Sequence, residues 1–594
     1  MSSFMGRHRA ECGSSILLGA CLLATSASAQ IYHPITPAMA GSTVVLTGND
    51  LTIDQVIQVA RYGSRVKLGA QAKQRNLDTF NLMNEGAAEG IAIYLFNRNS
   101  GAGREVVRFT GDPMSPANRP RLAAQALDEF RNGSDESDEH GPEFADEDVV
   151  RAMMLVRANQ MTYLAASPAM LQALVDLINA DITPVMRSRA GTGEAEGPAA
   201  GAMDAAMVGA GEVHYHGVRM AASAALSHAG LKPLQPAPGD NTMSSVNSDV
   251  AGLAAILVED ARRYLDWTDL AYSMDLNAMN SSITPLFMPV QISRPYPWIN
   301  WDAARVLEFL KGSYLFDDDP GRIIQDPESL RASYVRQGSA WEEWGNLRDA
   351  VTIQMNGTEH NPVTRVNVSP EDSWELSTPQ AMKYYVKGSA ANGYKHGFVF
   401  SNANWDPYPL CNRLESFTIA LANLDVAVML RQERFASTFF TVVRAQDILH
   451  GGAVQAAPHG GPGWSNHEVW QTIQGLINPV PPEGYSADPE GVEELDAESL
   501  FKVKRAIEAV AESWMLVAGD LNTGVHWMDV RKAQDANRHF GAAPTAAWQA
   551  LRRGGISPQA ALAFIRSTPA STFYRDGPAM PGHAEANISA EVHW

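Results

Sequence analysis

The chain has 594 residues, 45% of them hydrophobic, and a formal net charge of −20 at pH 7. This length is sufficient for a large hydrophobic core. The strongly acidic balance argues against binding to nucleic acid, which usually needs a basic surface, and against binding to an anionic membrane.

The first 29 residues have the pattern of a signal peptide. Arg7 and Arg9 form a basic start, residues 16–24 form an apolar core, and small residues end the segment at Ala29. We therefore predict cleavage near Ala29 and a periplasmic or secreted protein. Lipid attachment at Cys21 is the alternative, because residues 18–21 resemble a lipobox, but the apolar run continues past that cysteine.

Cleavage at Ala29 removes two of the three cysteines. Cys411 then remains alone, so no disulfide can form within the chain and stability has to come from the core. No later segment has the long uncharged apolar run of a transmembrane helix. The sequence therefore predicts a soluble mature protein.

The segment after the leader alternates between helical and strand-like patterns. Residues 51–68 predict a short helix followed by a strand, with Thr52 or Asp54 near the helix start, and residues 72–88 predict a second helix. Residues 91–96 form a short apolar run that indicates a strand and contains Tyr94. Asn97 and a glycine-rich loop follow this run.

An acidic cluster at residues 134–148 precedes a long helical pattern. The simplest interpretation is a solvated loop whose carboxylates favour the positive end of a helix beginning near Val149. Calcium binding is the alternative, but the spacing lacks the EF-hand pattern.

Long amphipathic segments dominate the rest of the chain. Helical spacing is found at residues 149–180, 241–264, 326–355, 410–435, 498–521 and 558–566. These segments predict a mainly α fold with a long central helix bundle and a smaller N-terminal α+β part. We place the N-terminal part at residues 30–220, the bundle at residues 221–540 and a tail at residues 541–594.

Two histidines at alternate positions, in His214-Tyr215-His216, raise the question of a metal site. Alternate residues of a strand share a face, so both side chains could approach one ion. No third ligand stands at a suitable spacing, and we predict no metal. The sequence also lacks a serine nucleophile elbow, a phosphate-binding loop and a dinucleotide-binding fingerprint.

A series of short motifs in a fixed order is similar to the aromatic amino-acid ammonia-lyase family. The motifs are, in chain order, Tyr94 with Asn97; residues 153–159 with residues 177–185; residues 184–220; Asn247; residues 325–331; Asn356 with Asn361-Pro362; residues 402–405; and Glu493. The resemblance extends over about residues 51–534. The resemblance implies the family's helical architecture, and a homotetramer whose sites combine loops from three subunits.

The resemblance also implies roles for individual residues. Tyr94 matches the family's catalytic tyrosine, Arg331 its carboxylate-binding arginine, and Asn247 the asparagine of an Asn-Gly-Thr motif. Asn97 lies beside the tyrosine, Asn404 with Trp405 matches an Asn-Phe pair, and Glu493 fits a late carboxylate. A structural role, such as a core tyrosine or a surface ion pair between Arg331 and Glu328, is the alternative for each. Glu328 replaces a tyrosine usual in the family, and a family histidine expected near Ser137 is missing.

The family's electrophile does not fit the glycine-rich turn of this chain. The resemblance implies a methylidene-imidazolone group made by cyclisation of Ala-Ser-Gly, but the turn reads Gly193-Glu194-Ala195-Glu196-Gly197. Cyclisation needs the serine hydroxyl, so we predict that this group is absent and that the protein has no cofactor. Glu194 and Glu196 could instead act as acid or base, hold an ammonium group, or fill the space as inert charges.

Two functions follow from these observations. The first is a lyase or isomerase acting on a small amino-acid-like or aromatic carboxylate, with Tyr94, Glu194, Glu196 and Glu493 as catalytic residues. The second is a noncatalytic periplasmic protein that retains the fold for carboxylate binding or assembly. An unusual cyclisation that still forms the electrophile is a third, chemically distinct possibility.

Overall fold

We analysed the fold in a computed structural model of the full chain. It describes residues 32–132, 139–190, 197–242, 247–449, 473, 475, 484–485, 495–555, 557–575 and 577–582. The predicted signal peptide with Cys21, the turn carrying Glu194 and Glu196, and Glu493 lie outside the described residues.

Helices account for most of the described chain, as the sequence predicts. They are α1 (Ile53–Ala60), α2 (Ala70–Ala88), α3 (Arg119–Asn132), α4 (Glu147–Gln160), α5 (Pro168–Asn179), α6 (Gly197–Met207), α7 (Ala222–His228), α8 (Ser248–Met279), α9 (Met288–Gln291), α10 (Pro297–Leu310), α11 (Glu328–Arg331), α12 (Ser333–Asn356), α13 (Tyr408–Arg434), α14 (Thr438–Thr441), α15 (Ala445–Leu449), α16 (Ser499–Gln534), α17 (Ala542–Gly554) and α18 (Pro558–Ser567).

Helix α8 forms the axis of the central bundle. It packs against α16, α4, α12 and α10, and α13 packs against both α12 and α16. Almost every residue of α8 is buried, including polar ones, because other helices surround it on all sides. The predicted helix bundle is therefore confirmed, and α8 fixes the position of the residues at its two ends.

Short strands surround the bundle in small separate sheets. The strands are β1 (Thr43–Leu46), β2 (Arg65–Leu68), β3 (Glu139–Glu143), β4 (Ile182–Pro184), β5 (Arg187–Ala190), β6 (Glu212–Tyr215), β7 (Val218–Ala221), β8 (Val363–Val366), β9 (Tyr385–Val386), β10 (Gly397–Phe400), β11 (Gly484–Tyr485) and β12 (Leu495–Asp496). β1 pairs with β2 in parallel, and the other pairings are antiparallel, in the orders β3-β5, β4-β6-β7, β8-β10-β9 and β11-β12.

Local sequence signals correctly predict several elements. Thr52 caps α1 in a reciprocal capping box with Gln55, and the predicted strand after it is β2. The helix expected at residues 558–566 is α18. The domain boundaries at residues 220 and 540 stay predictions.

Two local predictions are wrong. Residues 91–96 form turns instead of a strand, because Leu95 adopts a left-handed conformation with φ of 61°. The acidic segment is only partly a loop, since Glu139–Glu143 forms β3 and pairs with β5. Asp146 occupies the N-cap position of α4, but its side chain bonds His33 at 2.8 Å instead of the helix.

None of the described helices is long and apolar enough to cross a bilayer. Cys411, on α13, is buried and forms no disulfide with another described residue.

Candidate active site

A strained loop holds Tyr94. The hydroxyl of this half-buried tyrosine accepts a hydrogen bond from the backbone N–H of Gly101 at 3.1 Å. Leu95, the next residue, has φ of 61°, a conformation that is uncommon outside glycine and often found at functional sites. An N–H donor aimed at the phenol oxygen favours negative charge there, so the loop suits a tyrosine that acts as a base.

Asn97 fixes this loop through its side-chain amide. Its Oδ1 accepts the N–H of Ile93 at 2.8 Å, and its Nδ2 donates to the carbonyl of Ile91 at 2.7 Å. The residue is buried, with 4% of its surface exposed. Asn97 therefore positions Tyr94 through the backbone, in addition to any contact that it makes with a ligand.

Asn247 occupies the N-cap position of α8 and is completely buried. Its backbone N–H donates to Glu359 Oε2 at 2.9 Å, and its Nδ2 donates to the carbonyl of Trp405. Its Oδ1 has no hydrogen-bond partner among the described residues. A buried amide oxygen normally has a partner, so this atom is a candidate contact for a ligand.

Glu359 is a site residue that the sequence analysis missed. The side chain is buried, and it accepts hydrogen bonds from the Gln160 amide and from the N–H of Asn247. Burial raises the pKa of Glu359 to about 7. Glu359 lies between Asn356 and Asn361-Pro362, two motifs of the resemblance. This position is the sequence signal that could have identified it.

The loop after β10 brings Trp405 against Asn247. His360 Nε2 lies 2.7 Å from the carbonyl of Thr242, and Asn402 Nδ2 donates to the carbonyl of His360 at 3.1 Å. Trp405 Nε1 donates to the carbonyl of Asn402 at 3.1 Å, which orients the indole. Burial lowers the pKa of His360, so its imidazole is neutral at neutral pH.

Asn404 lies beside Trp405 but is exposed. Its backbone N–H donates to Asn402 Oδ1 at 2.8 Å. The structure thus brings Asn404 and Trp405 to the Asn247 end of α8, and only Trp405 bonds Asn247 directly.

The Tyr94 loop reaches the same end of the bundle through Phe96. The Phe96 ring packs on Gly239 so closely that a Cβ atom at that glycine would lie 2.5 Å from it. Gly239 is three residues before Thr242, which contacts His360. A chain of contacts therefore links the loop of Tyr94 and Asn97 to the region of Asn247, Asn404 and Trp405.

Helix α6, which begins at Gly197, contacts α4. Arg157, one turn before Gln160 on α4, pairs with Asp204 of α6 at 2.7 Å and donates to the Ala200 carbonyl at 3.2 Å. Helix α4 consequently contacts both α6 and Glu359. In sequence the glycine-rich turn directly precedes α6, and the dipole of a helix favours anions at its N-terminus.

Arg331 lies away from this region in the same chain. It ends α11, where the carbonyl of Leu330 accepts a hydrogen bond from Tyr272 at 2.6 Å. Tyr272 follows Asn247 by 25 residues on the continuous helix α8, which corresponds to roughly 37 Å of helix axis. One chain alone does not place Arg331 beside Asn247.

The ion pair anticipated for Arg331 is present. Arg331 Nη2 lies 3.3 Å from Glu328 Oε1, and the Glu328 side chain is 86% exposed. The Nε of Arg331 is buried and has no hydrogen-bond partner among the described residues. Arg331 therefore retains donor capacity for a carboxylate.

His214 and His216 have different surroundings. His214 lies in β6 and stacks on Tyr32, with ring centroids 3.5 Å apart, whereas His216 lies in the hairpin turn, 3.5 Å from Asp181. Within the described part of the chain, no three His, Cys, Asp or Glu side chains are grouped closely enough to hold a metal ion.

Comparisons with known proteins match most of the chain. The model of the family described as aromatic amino acid lyase matches residues 51–553. A histidine ammonia-lyase of Treponema denticola is 29% identical over 326 residues, which is 54% of this chain and 61% of that protein. The match thus spans about three fifths of this relative.

Solved structures show the same architecture. The ergothionase of Treponema denticola, solved with desmethyl-ergothioneine sulfonic acid, aligns with a TM-score of 0.73 and 21% identity over 89% of this chain and 99% of that one. Histidine ammonia-lyase from Trypanosoma cruzi aligns with a TM-score of 0.72 and 16% identity, covering 89% and 94% of the two chains. At these identities the likeness establishes the fold.

Proposed function

Because the chain belongs to the aromatic amino acid lyase family, whose ammonia-lyase members break carbon–nitrogen bonds, we propose that it is an exported lyase acting on a small amino-acid-like or aromatic carboxylate. The observation that carries this proposal is the buried Asn247, which is held on two sides while its Oδ1 is left open. Tyr94, on its strained loop in the same region, supplies a base.

The proposed reaction proceeds without the family's electrophile. The turn holds glutamates where Ala-Ser-Gly would be needed, so its residues do not fit a methylidene-imidazolone group. In the proposed elimination, Tyr94 takes a proton from the carbon next to the one that carries the leaving group. The C–H electron pair becomes the second bond of the new double bond, and the leaving group departs with its own bonding pair.

The carboxylates of the turn provide the complementary acid. Glu194 or Glu196, in the protonated form, would give its proton to the departing group, and Glu493 would assist from a later loop. Asn247 Oδ1 would orient the substrate, and Trp405 would form an aromatic wall.

A homotetramer completes this proposed site. Within one chain Arg331 lies beside a part of α8 that is far from Asn247. Its guanidinium is paired with the exposed Glu328 through only one nitrogen, so it can still bind a carboxylate. If the chain assembles as the resemblance implies, the arginine of one subunit meets the Asn247 region of another. The signal peptide pattern supports export, with cleavage near Ala29.

A noncatalytic carboxylate-binding protein is the second candidate. The pair between Glu328 and Arg331 favours it, because Glu328 competes for the guanidinium that would bind substrate. The fold would then be retained for binding alone.

A turnover screen of the full-length mature protein separates the two candidates. Histidine, the substrate named for the 29% identical relative, and ergothioneine are the first compounds to assay, followed by aromatic amino acids, with ultraviolet absorbance reporting the unsaturated product. We expect Tyr94→Phe to bind substrate but lose turnover. The matched control is Tyr296→Phe, which alters an exposed tyrosine and should stay fully active. Binding without turnover in the wild type, unchanged in Tyr94→Phe, would favour the noncatalytic candidate.

A further inference from the structure

A cleft opens between α8, α16 and α18, away from the candidate active site. Its volume is about 450 Å³, and a smaller pocket of about 220 Å³ adjoins it. Leu257 and Arg263 on the α8 wall follow Asn247 by 10 and 16 residues, so they lie roughly 15 and 24 Å along the helix from it. The cleft is therefore separate from the region around Asn247.

One wall of the cleft is apolar. Ile507, Val510 and Trp514 follow one another at helical spacing on a single face of α16, and Leu257 opposes them from α8. Val510 and Trp514 are almost fully buried, and Trp514 is anchored edge-on against Tyr264. This wall suits an aliphatic or aromatic body.

The other wall carries two guanidinium groups without carboxylate partners. Arg263 Nη2 donates to the backbone carbonyl of Arg566 at 2.7 Å, and Arg566 Nη2 donates to the carbonyl of Ala511 at 3.2 Å. No carboxylate of the described chain lies within 4 Å of either guanidinium, and Arg263 Nε is buried without a partner.

The third arginine of the cleft is different. Arg61 is neutralised by Asp148 at 2.7 Å and by a two-point contact with Asp260 at 2.7 and 2.8 Å. Asp146, on the same rim, lies 2.8 Å from His33. The open positive charge is therefore confined to Arg263 and Arg566.

We propose that this cleft is a second binding site, for a small organic carboxylate with an apolar body. The carboxylate pairs with the free N–H groups of Arg263 and Arg566, whose planar forks match carboxylate geometry. The apolar body lies against Val510 and Trp514. A cleft of this size with an apolar wall and a few convergent polar groups has the usual properties of a small-molecule site.

Calorimetric titration of the full chain with 3-phenylpropanoate tests the proposal. The titration is done in the Arg331→Gln background, so that the proposed active site does not contribute. The double change Arg263→Gln with Arg566→Gln should weaken binding at least tenfold. Ala511→Phe, which fills the cleft from an exposed position, should abolish binding, whereas Ala124→Phe, on an exposed face of α3, should leave it unchanged.

Each other outcome overturns the proposal. Binding that survives both the double arginine change and Ala511→Phe would place the ligand elsewhere. Equal affinity for uncharged 3-phenylpropan-1-ol would remove the role of the arginines. Equal affinity for sulfate would remove the role of the apolar wall. Ala511 and Ala124 are both exposed, so neither added ring should disturb the fold. Circular dichroism of the two variants, compared with the wild type, detects misfolding in either.

Discussion

The interior of the bundle and the Asn247 end of α8 bury polar groups of different kinds. In the interior, Arg431 of α13 pairs with Asp275 of α8 at 2.9 Å and with Asp520 of α16. Around Asn247, an amide oxygen is buried without a partner among the described residues. In the interior the polar groups are charged and join helices in ion pairs, whereas at the end of α8 the open oxygen belongs to a neutral amide.

In the interior, carboxylates outnumber the arginines that pair with them. Arg305 pairs with Asp266 at 2.6 Å and with Asp269 at 2.8 Å, and Asp302 adjoins Asp269. Burial raises the pKa of Asp302, and likewise that of Asp275, well above the usual range. Burial therefore favours the neutral form of both carboxyl groups. Each cluster is thus closer to neutrality than its number of carboxyl groups implies.

The largest expected effect comes from opening an interior cluster. Arg431→Met leaves Asp520 buried without its partner, and losing one member of a buried pair typically costs about 3–5 kcal/mol. Urea unfolding followed by tryptophan fluorescence measures the loss. Lys311→Met, which removes an exposed pair with Glu308, is the control and should cost less than about 1 kcal/mol. Equal midpoints for the two variants would show that the cluster does not join the helices.

At the Asn247 end, a change should affect turnover more than stability. Asn247→Ala removes the open oxygen and the bond to Trp405, and misplaced substrate lowers turnover on the order of 100-fold. Steady-state kinetics on the substrate found by the screen gives this ratio. Asn423→Ala, at an exposed position of α13, should behave as the wild type. A large loss of stability with little loss of turnover in Asn247→Ala would show that Asn247 supports the fold and does not orient the substrate.

The pH dependence of stability tests Glu359. Its pKa is raised from the ordinary 4.5 to about 7, so the stabilisation is fully present below pH 4.5 and is lost as the pH rises through 7. At 1.36 kcal/mol per pKa unit this contribution is about 3 kcal/mol.

The free energy of unfolding should therefore change less between pH 5 and pH 8 in Glu359→Gln than in the wild type. Asp425, whose pKa burial also raises to about 7, preserves part of the slope. Glu308→Gln, at an exposed position, should retain the full slope. An unchanged slope in Glu359→Gln would contradict burial of an ionisable carboxyl at this position.

The smallest effect on stability is expected at the surface pair of Arg331. Glu328→Gln removes an exposed partner and should change stability by less than about 0.5 kcal/mol. It should also tighten carboxylate binding severalfold, because Arg331 no longer shares its charge. Binding titrations of Glu328→Gln and of Glu371→Gln, an exposed control, make the comparison. Weaker binding in Glu328→Gln would mean that Glu328 helps to hold the ligand.

The sequence predicts the bundle well because helical periodicity is a local signal. The helix expected at residues 410–435 is α13, Tyr408–Arg434, and the one expected at 498–521 continues to Gln534 as α16. Local patterns fail where distant pairing decides the structure. The pairing of β3 with β5 joins residues 44 to 51 positions apart, from Glu143–Arg187 to Glu139–Ala190, and the acidic composition of β3 gives no sign of it.

The site is predicted in part, for a similar physical reason. Motif order finds Tyr94, Asn247 and Trp405, which the structure brings to one region. It does not find Glu359, because a single carboxylate has no periodic pattern and its role depends on contacts with α4 and α8. Nor does motif order reveal that Arg331 lies far along α8 from Asn247 in the same chain.

The mass of one tryptic peptide tests the central claim most directly. Cleavage after Arg189 and Arg219 releases residues 190–219, which contain the whole turn from Gly193 to Gly197. An electrophile-free site predicts a peptide mass equal to that of the unmodified sequence. A mass lower by two water molecules would show that the turn cyclises, and would contradict a reaction in which Tyr94 and the glutamates of the turn take the place of the family's electrophile.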